Sequence, residues 1–178
     1  MKIGIDVSQV AYKKTGVSNY LLNLVRTLID IDKKNEYLLF LSAFRSKLPT
    51  EILEMSKREN VKVKLFKFPP SFLDLVWNRM HILPIESLIG EVDYFITSDW
   101  TEPPATKAKK ATILYDLVAY KYPNETDKKI TQVQRRKLRW VKKESDIVFC
   151  ISKSAKDDAK EILGLEENRL KVIYPGIN

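Results

Sequence analysis

Apolar residues recur along this chain in two alternating rhythms. KIGIDVS (2–8), EYLLFLS (36–42) and VKVKLF (61–66) are short runs rich in β-branched and aromatic residues, and they predict strands. Between the first two, Tyr20, Leu21, Leu24, Val25, Leu28 and Ile31 return at helical spacing, predicting a helix over about 17–31. A second helix is expected over about 50–59, and the Pro69–Pro70 pair breaks the chain before a helical segment around 72–82. Further strands are expected at DYFITS (93–98), ATILY (111–115), DIVFCIS (146–152) and LKVIY (170–174). Helices over about 127–144 and 153–163 separate the last three, with Gly164 placed to stop the second.

Strands that are apolar on both faces and alternate with helices require a sheet covered on both sides. The expected fold class is therefore α/β, a single Rossmann-like, doubly wound domain built on a mostly parallel sheet. No internal repeat, low-complexity tract or flexible linker divides the chain, so residues 1–178 read as one domain.

Composition narrows the class further. With 44% hydrophobic and 30% charged residues, the chain can bury a full core and is not a disordered segment. No apolar run approaches the roughly 20 residues that span a bilayer. The opening MKIGIDVS runs straight into a strand rather than a signal peptide, which points to the cytoplasm. The single cysteine, Cys150, lies inside IVFCIS with no base beside it, and a buried structural thiol is expected. The single histidine, His81, has no Cys or His at ligand spacing, so no metal site is expected and its role reads as structural. A net charge of +8 points to an acidic partner: a phosphate-bearing substrate, anionic lipid or nucleic acid.

In sheets of this kind ligands bind in the crevice at the carboxyl ends of the strands. That rule selects the loops beginning at Val7–Ser8, Ser98–Asp99, Tyr115–Asp116 and Ser152. In KKTGVSNY, Gly16 precedes a helix whose amides at Val17, Ser18 and Asn19 form a candidate anion site, with Lys13 and Lys14 adding charge. The sequence is neither a dinucleotide fingerprint nor a Walker loop, and a plain turn glycine is the competing reading. Asp99 in TSDWTEPP, beside Trp100, can hold sugar hydroxyls while the indole stacks on a sugar face, or it can simply form a turn. Asp116, preceded by Tyr115 in LYDLVAYKYP, reads either as part of a catalytic or ligand-orienting pair or as a loop cap. In ISKSAKDDAKEILG, Ser152 or Ser154 can cap the following helix, Ser154 with Asp157 resembling a capping box, and a helix end facing the crevice can also touch ligand.

The helix over 127–144 carries the strongest charge pattern. Ile130, Val133, Leu138, Trp140 and Val141 share one arc at 100° per residue. Lys128, Lys129, Arg135, Arg136, Arg139, Lys142 and Lys143 fall on the other. Such a face either attracts anionic headgroups in peripheral contact with the inner face of a membrane or is only solvated exterior. Nucleic acid ranks below both, because the basic residues have little exposed aromatic interleaving and no recognised nucleic-acid motif is present. A Rossmann dehydrogenase lacks its glycine fingerprint here.

Taken in order, KIGIDVS, TGVSNY, TSDWTEPP, ILYDLVAYKYP and the closing SDIVFCISKSAKDDAKEILGLEENRLKVIYPGIN resemble glycosyltransferase family 4. More narrowly, the chain resembles the N-terminal domain of mannosyltransferase-like members with the GT-B fold. The resemblance covers essentially the whole chain and rests on the order and spacing of these segments rather than on one motif. It implies retaining transfer of a sugar from a nucleotide-sugar donor to a saccharide or lipid-linked acceptor, as in polysaccharide biosynthesis, with no cofactor and no metal. It also implies a C-terminal nucleotide-sugar-binding domain, absent from this sequence, without which the chain is inactive. On this resemblance Gly16, Val17 and Asn19 belong to the loop that meets the donor phosphates, and Asp99, Trp100 and Ser152 to the acceptor side. The family usually places His then Asp after the strand carrying ILYD. Here Tyr115 and Asp116 stand there, so the acid matches and the histidine does not. The alternative reading is a non-catalytic basic α/β module that contacts anionic membrane surfaces through Arg135, Arg136, Arg139, Lys142 and Lys143.

Overall fold

The computed structural model describes residues 1–12, 15–45 and 47–176. Lys13 and Lys14, and the closing Ile177–Asn178 of the PGIN segment, lie outside the described residues. In chain order the elements begin β1 (Lys2–Asp6), α1 (Gly16–Ile31), β2 (Glu36–Ser42), α2 (Thr50–Met55), β3 (Val61–Phe66) and α3 (Pro70–Leu73). A single wide helical turn follows over Asp74–Arg79, then α4 (Glu86–Ile89), β4 (Tyr94–Thr97), β5 (Lys109–Leu114) and α5 (Val118–Lys121). The chain closes with α6 (Lys128–Glu144), β6 (Ile147–Cys150), α7 (Lys153–Leu163) and β7 (Leu170–Val172).

The strands form one seven-stranded sheet in the order β3-β2-β1-β4-β5-β6-β7, and every neighbouring pair is parallel. β2 shows why its sequence is apolar throughout. Tyr37, Leu39 and Leu41 enter the core cluster under α1 and α2, whereas Leu38 and Phe40 join Trp77, Ile85 and Phe95 on the opposite face. A third cluster joins α6 and α7 to β5, β6 and β7 through Leu138, Val141, Ala159, Val148 and Leu170. The fold is thus a Rossmann-like α/β sheet flanked by helices.

Local chemistry explains the element ends. Thr15 caps α1 by accepting the Ser18 amide at 3.1 Å, and Asp127 caps α6 by accepting those of Lys129 and Ile130. Gly164 adopts left-handed geometry at φ 63°, so the amides of Gly164 and Leu165 reach back to the carbonyls of Lys160 and Ala159 and close α7. Gly4 has a different reason to be glycine: an added Cβ would sit 2.7 Å from the Phe95 ring on the neighbouring β4.

Two expectations change here. The segment 72–82 is not one helix; α3 widens at Asp74–Arg79, and His81 and Leu83 then take positive φ values of 53° and 65°. Tertiary bonds hold this turn, since Trp77 Nε1 donates to the Leu83 carbonyl at 3.0 Å and the His81 ring stacks on Trp140. The cap of α7 is Ser152, which accepts the Ala155 amide at 3.0 Å. Ser154 lies inside the helix, so the Ser154–Asp157 capping box does not form.

Candidate active-site cleft

Strand order reverses between β1 and β4, because β2 and β3 build outward on one side and β5, β6 and β7 on the other. The connections leaving β1 and β4 diverge at such a point and open a crevice between them. A cleft of about 800 Å³ occupies it, bordered by Asp6 at the end of β1 and Ser8 beyond it, Thr15 and Val17 at the start of α1, Phe68 and Leu73, Asp99 and Trp100 after β4, and Ile130, Val133 and Arg136 on α6. A second hollow of about 300 Å³ shares Val17, Asp99, Trp100 and Ile130 and adds Tyr115 and Asp116. The fold therefore gathers Val17, Asp99, Trp100, Tyr115 and Asp116 along one edge. Gly16 stands beside it at the helix start with open space where a Cβ would lie, and Asn19 is exposed one turn further on. Ser152 lines neither hollow, and its hydroxyl is engaged as the cap of α7.

The floor of the cleft is charged, although little water reaches it. Lys137 of α6 is 2% exposed, and its ammonium donates to the carbonyl of Ser98. Burial lowers its pKa, while the nearby charges of Glu102, Asp99 and Asp6 act in the opposite sense. Asp6 and Asp99 show the mirror image: burial raises both carboxyls above the usual range, and Lys137 pulls them back. Asp6 accepts the Ser8 amide at 2.9 Å, and Asp99 accepts the Gln134 side-chain amide at 3.0 Å. Asp99 is therefore held in a fixed orientation by α6 rather than being only a turn residue.

Tyr115 is placed equally firmly. Its hydroxyl lies 3.0 Å from Ser98 Oγ and its ring meets Tyr20 edge-on at 5.6 Å. Burial raises the phenol above its ordinary range, so it stays protonated at neutral pH. Tyr20 in turn donates from its hydroxyl to the carbonyl of Ile173 at 3.1 Å, tying α1 to the chain leaving β7. Asp116 is exposed, and its Oδ1 accepts the Val118 amide at 3.0 Å, a loop-capping bond that leaves Oδ2 without a partner among the described residues. The amides expected to be free at the start of α1 need correction. Those of Ser18 and Asn19 are taken by the Thr15 hydroxyl and carbonyl, which leaves Gly16 and Val17 as the first-turn donors.

The basic helix divides differently from the arc drawn on its sequence. Arg135, Arg139, Lys142 and Lys143 are exposed, with Arg139 and Lys143 about 5 Å from the Trp140 ring centre. Arg136 instead turns to the cleft, where its Nε and Nη2 bind Asp74 at 3.1 and 2.7 Å. Ile130, placed on the apolar arc, is 41% exposed, while Lys137 is buried. The helix docks along Thr131, Leu138 and Val141, a seam rotated from the expected one.

His81 and Cys150 have structural surroundings. His81 stacks on Trp140 at 3.5 Å and faces the Glu144 carboxylate at 2.9 Å, while Cys150 is buried and its thiol is pushed up to about 11 by that burial. Among the described residues no group of His, Cys, Asp and Glu has metal-binding geometry, and no helix is long and apolar enough to cross a membrane.

Several polar residues that shape the site carry no sequence pattern that separates them from surface charge. Glu102 is fully buried, accepts the Thr97 hydroxyl at 2.6 Å and pairs with Lys110 at 3.1 Å. Asp74 is held by Arg136, Arg79 and Asn78; burial would raise its carboxyl, but these donors keep it below the usual range. Lys137 alone left a signal, lying three residues after Gln134 and four before Val141 on the inner side of α6.

The sequence profile of Glycosyltransferase Family 4 matches residues 14–178. No curated protein is similar enough to match the chain. Fold, cleft and profile define a glycosyltransferase module. The chain belongs to glycosyltransferase family 4.

Proposed function

We propose that this chain is the acceptor-binding half of a retaining, mannosyltransferase-like glycosyltransferase with the GT-B fold. It works opposite a second domain that binds a nucleotide-sugar, and by itself it transfers nothing. The carrying observation is the cleft of about 800 Å³ at the β1–β4 crossover, with Asp99 fixed on its wall beside Trp100. An indole next to an oriented carboxylate suits a sugar ring, with apolar stacking on one side and hydroxyl contacts on the other. Asp116, exposed with one free carboxylate oxygen, is the residue best placed to meet a sugar arriving from a facing domain. Tyr115, protonated and bonded to Ser98, fixes the loop behind it. The Gly16–Val17 amides offer donors for a phosphate at the same edge. The location in this reading is the cytoplasm.

Mixing the chain with the donor-binding domain of a family member and a nucleotide-sugar tests the reading. Transfer, or hydrolysis of the donor, is expected only when both parts are present. Absence of both across several donor-binding partners overturns it.

A second reading rests on one observation: Arg135, Arg139, Lys142 and Lys143 are all exposed along α6. That face suits docking on an anionic membrane surface, with or without chemistry in the cleft.

A further inference from the structure

Two arginines in the cleft share one carboxylate. Arg136 spends Nε and Nη2 on Asp74, and Arg79 binds the same carboxylate through Nε at 3.1 Å. The trio therefore carries one positive charge more than it neutralises. Both terminal nitrogens of Arg79, and Nη1 of Arg136, have no protein partner among the described residues, and both side chains border the cleft. Asp74 is 8% exposed and also bonds Asn78, which itself holds the Trp100 carbonyl at 2.9 Å. The carboxylate thus serves as a brace that fixes two guanidinium planes beside the wall carrying Trp100. Guanidinium forks with unused donors match the paired oxygens of a phosphate better than a neutral hydroxyl.

We infer that Arg79 and Arg136 form an anion subsite, so that the molecule entering this cleft is a phosphorylated saccharide or a lipid whose phosphate-bearing headgroup has net negative charge. The inference deepens the acceptor reading above and rests on it for the word acceptor, but not for the site. The phosphate sits on the Arg79–Arg136 side of the cleft and the sugar lies toward Trp100 and Asp99. Lys129, on the same wall of the cleft, adds long-range attraction.

Calorimetry with glucose 6-phosphate and with glucose, and sedimentation with phosphatidylcholine vesicles with and without phosphatidylglycerol, test this. Arg79→Gln is the informative variant: the Arg79 side chain is 55% exposed, and its loss leaves Asp74 paired with Arg136. Its urea midpoint is expected to match that of the parent chain. Glucose 6-phosphate binding at least tenfold tighter than glucose, and weakened about tenfold by Arg79→Gln, supports a soluble phosphorylated saccharide. Binding confined to the anionic vesicles, and weakened by the same variant, supports the lipid source. No binding of either probe, or binding of which none is weakened by Arg79→Gln, overturns the subsite. These readouts need no transfer, so the subsite can fail while the transferase reading stands, and the reverse.

Discussion

The ammonium of Lys137 donates to the backbone carbonyl of Ser98 under the very strand end from which Asp99 projects. Helix α6 and strand β4 are thereby joined by a buried cation whose charge is answered by Asp6 and Asp99 on the cleft side and Glu102 beneath. The position of the proposed acceptor acid depends on that joint.

Lys137→Met keeps the length of the side chain and removes its charge. Loss of one member of a buried charge cluster costs about 3–5 kcal/mol. The loss at pH 7.5, read by urea denaturation, is expected to shrink at pH 5. Asp6 and Asp99 already have raised pKa values, and without the cation they take up protons more readily as pH falls. A loss equal at both pH values would argue against the cluster.

Asp74 gives the opposite sign. Its folded pKa lies below its unfolded value near 3.9, so its stabilising contribution is complete above about pH 4 and is lost as pH falls through the folded value. Asp74→Asn is expected to unfold at lower urea than the parent chain at pH 7, by about 3 kcal/mol. The gap should narrow below pH 4, where the parent carboxylate also becomes neutral. A gap that widens in acid would contradict the sign.

Gly4→Val tests packing between strands rather than charge. The new Cβ meets the Phe95 ring at 2.7 Å and Ile89 at 3.2 Å, in a region where Phe95 is 1% exposed. Overpacking of this kind costs about 1–3 kcal/mol. A fall in thermal midpoint is expected, and Gly4→Val with Phe95→Leu should recover part of it.

Charge reversal at Arg135 and Arg139 addresses the membrane reading. At roughly 1 kcal/mol per charge near an anionic surface, the double Glu variant should lose an order of magnitude or more in binding to phosphatidylglycerol vesicles. Arg136→Glu is a poor substitute, since it removes two of the donors that hold Asp74 and sets a like charge beside it. Unchanged sedimentation of the Arg135 and Arg139 variant would set the membrane reading aside.

Much of this architecture was legible in the chain. Wherever a run was apolar on both faces, as in β2, its position in a covered parallel sheet followed, and Gly164 marked the end of α7 by ordinary capping chemistry. The loops carrying Asp99, Tyr115 and Asp116 followed from strand ends alone. Two things did not follow. The turn at Asp74–Arg79 is fixed by Trp77, His81 and Trp140, which are distant in sequence or have polar edges that no local period reveals. The buried charges Asp6, Asp74, Glu102 and Lys110 carry no local pattern that separates them from surface charge, whereas Lys137 lies two turns after Ile130 on the same side of α6, where the first turn is exposed and the later ones are buried.

The 3.1 Å bond from Tyr20 to the Ile173 carbonyl has a mechanical consequence. Tyr20 is carried by the helix whose first turn borders the crevice, and its ring leans on Tyr115. The backbone leaving β7 and the helix that borders the crevice are thus joined through one phenol. A pull on the segment after β7 would load α1 through that bond, at the residue that leans on Tyr115.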